Sequence, residues 1–445
     1  MQNLWPWVLV IEELIHPDSL QRLQNFERLF VGFSGGLDST VLLHILANQP
    51  ALSEKLTVIH INHGLSGNAD TWERHCQDIC QSYNIPLIIR KVFVDSSANV
   101  EEEARKARYG VFLSVMTKND CLLLAHHRDD QAETLLLQLF RGAGLAGLSA
   151  MAAVKKIAEA TLIRPLLHCS RNTLEAYAHA HQLSWINDES NSDSVYSRNF
   201  LRHEVIPLVQ TRWPGVLANL ARTASHCFDA QLQLAELAEI DYPGSNDVPN
   251  TLSIARLGEL SYLRMNNILR NWLKKNSVRF PDTGTFNRLI PEVIFASPDA
   301  NPELVWDNYC IRRHQQTLYL LTAQKDMPGT IIKWQDFPNP LGIADLPGFL
   351  VVKSSEKGIV IPPDSTIEVR FRQGGESIVL RNQTKSLKKL FQEWKIPAWL
   401  RDRTPLMYVD GQLAAVIGYA VSDNFYQTSR ACRAYDVALQ VSLPD

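Results

Sequence analysis

Six consecutive residues, Ser34, Gly35, Gly36, Leu37, Asp38 and Ser39, put two glycines, two hydroxyls and a carboxylate into one turn of chain. Glycines let a backbone approach a ligand closely, and the first amides of a helix attract an anion. The stretch therefore reads as a cradle for phosphate groups. The familiar phosphate loop GxxxxGK[ST] needs a lysine for the outer phosphates, and none stands here. Asp38 is there instead. A carboxylate beside phosphates is repulsive unless a divalent cation lies between them, which makes Asp38 the candidate magnesium ligand. A plain glycine turn capped by Asp38 is the simpler reading of these six residues alone.

A second set of groups follows the run CLLLAHH. Asp129, Asp130 and Glu133 stand at helical spacing in RDDQAETLLLQLF, so their carboxylates can converge at a helix start, to hold a metal or receive a cation. First-turn acids satisfying the helix dipole are the plainer alternative. His126 and His127 are placed to touch phosphate or base, or to be structural. Arg105 and Arg108 share one face of an amphipathic helix, where a solvated charged face would also account for them. The polar segment from Asp188 ends in Arg198, Asn199 and Arg202, suited to phosphate or RNA contact. Near the C-terminus Arg370, Arg372, Arg381, Lys385, Lys388, Lys389, Lys395, Arg401 and Arg403 gather around Trp394 and Trp399. An RNA-binding face explains both the charge and the aromatics, although the tryptophans could equally be core.

These groups need a scaffold. Up to about residue 185, short β-favouring runs (LFVGF, LTVIHINHG, LIIRKVFV, CLLLAHH, LIRPLL) alternate with helical periodicity, the pattern of a Rossmann-like parallel sheet with crossover helices. Ligands in such sheets bind beyond the carboxyl ends of the strands, where Ser34–Gly36, Asn62–Gly64 and His126–Asp130 all fall. One pocket is expected to collect them. After Trp213-Pro214-Gly215 the pattern turns helical, and beyond about Lys325 prolines, glycines and short strands replace it. The expected organisation is a catalytic domain over 1–212, a mainly helical domain over 213–330 and a small basic α+β domain over 331–445.

The chain has 445 residues, 45% hydrophobic and 20% charged, with a formal net charge of −3, a folded composition without a global nucleic-acid signature. Seven cysteines without a CxxC pair argue against a zinc ribbon, a cluster-binding thiolase and a disulfide framework. With no signal-like start and no membrane-length apolar run, a cytoplasmic location is expected.

SGGLDS resembles the pyrophosphate-binding loop of the N-type ATP pyrophosphatases. Together with HINHGLS, EEEARKARYGVF, AHHRDDQAETLLLQLFRGAGLAGLSAM, LIRPLL and NFLRHEVIP, it looks like one branch of them, the bacterial tRNA(Ile)-lysidine synthetases. The resemblance implies a ligase that uses ATP, Mg2+ and free L-lysine to turn the wobble cytidine of an isoleucine tRNA with a CAU anticodon into lysidine. It implies that Ser34 to Ser39 hold pyrophosphate, with Asp38 placing magnesium. Asp38, Arg108, Asp130, Glu133 and Arg202 then carry catalysis, and both C-terminal domains bind tRNA. A second copy of the chain is a further partner that the sequence leaves open. A nucleotide-gated RNA-binding module without turnover is the alternative from another class, and it has no need for converging Asp130 and Glu133.

Overall fold

The computed structural model describes residues 14–64, 67–92, 100–188, 196–244, 250–297, 300–322, 331–343, 346, 348–427 and 434–440. The chain parts into two compact units, 1–240 and 241–445.

The first unit is built on six strands: β1 (Arg28–Gly32), β2 (Leu56–Asn62), β3 (Leu87–Lys91), β4 (Asp120–Leu123), β5 (Val154–Ile157) and β6 (Ala160–Ile163). They lie in the order β3-β2-β1-β4-β6-β5, parallel except for β5, which runs antiparallel to β6. The strand sequences are apolar on both faces because helices cover both. Leu29 and Val31 join Val41, Leu42, Leu174 and Tyr177 in one core, while Phe30 packs with Ile59, Phe112 and Leu122 in another. The helix Leu37–Ala47 sits so deep that Val41 to Leu43 are wholly buried. Because β2 and β4 flank β1 on opposite sides, the strand order reverses there. That reversal opens a crevice at the carboxyl end of the sheet.

The expected break at residue 213 is not where the compact units part. Trp213-Pro214-Gly215 separates two helices, Ile206–Arg212 and Val216–Asp241, and the second runs to the unit boundary. A proline and a glycine interrupt the helical run at this turn.

In the second unit, the helices Tyr262–Lys275 and Thr283–Arg288 accompany an antiparallel four-stranded sheet of β7 (Thr251–Ser253), β10 (Thr317–Thr322), β9 (Tyr309–His314) and β8 (Glu303–Trp306), in that spatial order. This sheet lies within the stretch expected to be mainly helical. Beyond it, two five-stranded sheets share a core of Trp334, Leu350, Val369, Met407 and Val437, and a hairpin of Ser377–Leu380 with Gln383–Ser386 leads into the helix Leu387–Glu393. Among the described residues no helix is long and apolar enough to cross a membrane.

Candidate active site

The phosphate-type loop leaves β1 and turns at Gly35, whose φ of +81° disfavours any side chain. A Cβ there would also lie 2.6 Å from Ile186 Cδ1, and the Ile186 amide donates to the Gly35 carbonyl at 2.9 Å. Gly35 thus serves packing and backbone geometry. Gly36 faces the open side and forms the N-cap of Leu37–Ala47, with no side chain satisfying the first amides of that helix. The serines brace the loop: Ser34 Oγ accepts from the Gly36 amide at 3.2 Å, and Ser39 Oγ donates to the Gly36 carbonyl at 3.0 Å. What remains free for an anion is the uncapped helix start itself.

Asp38 points from that helix toward the helix Arg128–Phe140, which begins at the end of β4. Its Oδ2 lies 3.6 Å from His127 Nε2, and its Oδ1 is buried without a hydrogen-bond partner. Such an orphaned carboxylate oxygen fits a cation. Among the described residues no group of three or more His, Cys, Asp or Glu could hold a metal by itself. One carboxylate completed by phosphate and water oxygens is the donor set magnesium favours, so the residues fit magnesium carried in with a nucleotide.

His127 caps the neighbouring helix, accepting from the Asp130 amide while its own amide donates to Asp130 Oδ2 at 3.0 Å. Burial disfavours its charge, but Asp38 and Asp130 outweigh this and raise its pKa. Burial would likewise raise the Asp130 carboxyl, yet the charges of His127 and Arg198 hold it at about 2. Asp129 goes the other way, raised chiefly by burial.

Glu133, only 1% exposed, stands behind Asp130 on the same helix face. It accepts from Arg198 Nε at 2.6 Å and from Arg202 at 2.6 Å (Nε) and 2.9 Å (Nη2). Asp130 Oδ1 accepts from Nη2 of both arginines, at 2.9 and 3.3 Å. Two carboxylates and two guanidiniums so close a compact, charge-balanced cluster that neither pair could leave without exposing the other's charge to burial.

A cavity of about 850 Å³ opens over these groups. Ser34, Gly36, Leu37, Asp38, Ser39, Arg108, Asp130 and Arg202 line it, while Gly35 and Glu133 support the wall from behind. Asn62 and His63 from the end of β2 and His126 from the end of β4 complete it. Arg108, on the helix Val100–Val115, approaches His63, whose pKa burial and then the Arg108 charge depress to about 4. The sequence marked Arg198 for phosphate or RNA contact but did not place it among the catalytic residues. The signal was available, since Arg198 and Arg202 stand four apart and Asp130 and Glu133 three apart, so two helices offer matched rows of opposite charge.

A twisted parallel sheet with an uncapped, lysine-free phosphate loop at its switch point defines a PP-loop domain that uses ATP, and the family profile of the PP-loop domain matches residues 10–209. Profiles of the TilS substrate binding domain and the TilS substrate C-terminal domain match residues 252–319 and 367–437. Curated relatives agree along nearly the full length. A tRNA(Ile)-lysidine synthase of Legionella pneumophila (strain Philadelphia 1) is 51% identical over 95% of this chain and 98% of its own. Those of Coxiella burnetii and Shigella flexneri are each 41% identical, over 89% and 90% of this chain and 89% and 94% of theirs. The chain belongs to the tRNA(Ile)-lysidine synthase family.

Proposed function

We infer that the cavity carries out lysidine formation in two half-reactions, as a ligase that modifies tRNA(Ile) at the expense of ATP. In the first, the O2 oxygen of the wobble cytosine attacks the α-phosphorus of ATP, and pyrophosphate leaves. In the second, the ε-amine of free lysine attacks C2 of the adenylated ring, and AMP leaves with that oxygen. The amine loses a proton on the way, because only its neutral form is nucleophilic.

The observation that carries this reading is the meeting, in one cavity, of an anion cradle with the Asp130 carboxylate, which Glu133 backs from behind the wall. A phosphate loop alone suits any nucleotide binder. Paired carboxylates beside it suit a cationic second substrate, and both are held at fixed geometry before substrate arrives. Ser34 to Ser39 present the helix amides to the pyrophosphate portion. Asp38 would hold magnesium, which when bound screens the phosphate charge. Arg108 stabilises charge at the reacting phosphate. Asp130 and Glu133 orient the lysine ammonium, sharing their oxygens between it and the guanidiniums of Arg198 and Arg202. We assign catalysis to 1–212 and tRNA binding to 213–330 and 331–445, with the enzyme acting in the cytoplasm, where its tRNA is found.

The test is incubation with radiolabelled lysine, ATP and the two tRNAs that share a CAU anticodon. Label entering the isoleucine tRNA alone, dependent on ATP and Mg2+, is the expected result. Label in the methionine tRNA, or in neither, would overturn the reading.

A further inference from the structure

Arg164 is a charged side chain only 4% exposed, just beyond β6 and outside the groups assigned above. It is pinned from several directions. Its backbone amide donates to the Ala153 carbonyl at 2.8 Å and its Nη1 donates to the Ala152 carbonyl at 2.6 Å. That segment is held in turn by Gln131, whose amide group makes two bonds of 2.9 Å to the backbone of Met151. Gln131 belongs to the helix that carries Asp130 and Glu133. Tyr109 is a further hydrogen-bond partner, and the contact that reaches the cavity is the informative one: Arg164 Nε donates to Nδ1 of His126 at 3.3 Å.

A guanidinium cannot accept a hydrogen bond, so this contact settles the imidazole tautomer. Nδ1 must be the acceptor, and the ring proton must sit on Nε2. No hydrogen bond among the described residues engages Nε2, and His126 lines the cavity. We propose that Arg164 is a positioning residue that holds His126 as its Nε2–H tautomer, so that His126 presents a neutral donor to a substrate oxygen in the cavity.

The surroundings keep the ring neutral. Burial, opposed by Asp130 and reinforced by the charges of Arg164, Arg198 and Arg105, depresses its pKa to about 3. A neutral donor has a use here that a cation would not. It stabilises an oxygen that gains negative charge without competing with lysine for Asp130 and Glu133. No proton changes hands in this role. In the adenylation step of the reaction inferred above, on which this assignment rests, the oxygens that gain such charge are those of the ATP phosphate chain, since the attacking cytosine oxygen gives up electron density.

Nitrogen-15 NMR of the full chain labelled at histidine reads the tautomer without any turnover. Wild type should show His126 protonated at Nε2, Arg164→Met should populate both tautomers, and Arg164→Lys should restore the first. A wild-type ring protonated at Nδ1 would overturn the proposal. In single-turnover adenylation, His126→Gln keeps an N–H near the Nε2 position and should stay within roughly tenfold of wild type, whereas His126→Leu should fall by roughly 100-fold or more. Equal loss in the two variants, both folded by thermal melt, would also overturn it. Weakened binding of a non-hydrolysable ATP analogue in His126→Leu places the phosphate contact already in the ground state, and unchanged binding with slowed transfer places it in the transition state alone. If wild type formed no lysidine, the reaction assignment would fail while the tautomer measurement still decided the role of Arg164.

Discussion

Gly35 and Gly36 are adjacent and chemically identical, yet the fold uses them for different ends. Gly35→Ala forces a side chain into a left-handed backbone and against Ile186, which should cost about 1–3 kcal/mol and lower the thermal midpoint by several degrees. Gly36→Ala meets nothing nearer than Ser34 Oγ at 3.4 Å, so its midpoint should stay near wild type while ATP affinity drops, because the new methyl stands in the cradle. Calorimetry and ATP-analogue titration of the two variants check this, and equal midpoints would contradict it. Asp38→Asn keeps the shape of the residue and removes the charge that would hold magnesium. Pyrophosphate release should then fall by roughly 100-fold or more with the fold intact, and near-normal turnover would refute the role given to Asp38.

The carboxylate pair belongs to the helix Arg128–Phe140, and its partners to the turn of helix containing Arg198 and Arg202. Glu133→Gln removes the charge and replaces one of the two accepting oxygens by an amide NH2 that faces a guanidinium donor, so the variant should melt earlier than wild type. It should also impair lysine transfer more than adenylation, since an amide attracts an ammonium poorly. Separate single-turnover assays of the two steps would expose an equal loss, which would count against a lysine-specific role. At this scale the strand-to-helix alternation was legible, because both faces of the sheet are covered and each strand is an apolar run bounded by turn residues. The phosphate loop was legible for the same local reason, with its glycines, hydroxyls and carboxylate contiguous. The cluster was legible only in half. Asp130 and Glu133 announce themselves by spacing, but their bonds to Arg198 and Arg202 span more than sixty residues, and nothing local forecasts which distant arginine arrives. The role of Arg164 was hidden because a charged residue inside the run LIRPLL carries no local sign of which distant groups it meets. The sheet of β7 to β10 escaped because its strands are short and follow strongly helical segments.

Over the whole molecule, the basic C-terminal residues divide by what they already touch. Arg370 is paired with Glu368, and Arg372 with Asp402, whereas Arg381, Lys388 and Lys389 are exposed. Neutralising those three should weaken tRNA binding and flatten its salt dependence by about one unit of slope per lost contact at most. Neutralising Arg370 and Arg372 should change the slope less, and ATP binding should survive both. An unchanged salt slope in the triple variant would make the patch a solvated face. Stability should depend on pH through His44, which bonds Tyr177 at 2.9 Å and whose pKa burial and then His181 lower from 6.5 to about 4. Between those values the unfolded chain binds more protons, so stability should decline as pH drops from about 6.5 to about 4. Thermal melts across that range should show a gentler decline in His44→Gln, and an identical decline would refute it.

The strand Ala434–Gln440 lies in the middle of its five-stranded sheet, pairing with Phe349–Ser355 on one side and Gly358–Val360 on the other. A chain made from the N-terminus on the ribosome can assemble its phosphate loop and cavity long before that strand emerges. Until then, two sheet edges of the last module stand open, each a template for pairing with another chain. A chain cut short before Ala434 would therefore yield a product whose nucleotide site is formed but whose sheet is unclosed and open to proteases. In this architecture the strand Ala434–Gln440 acts as the closing piece of its sheet, made after every neighbour it joins.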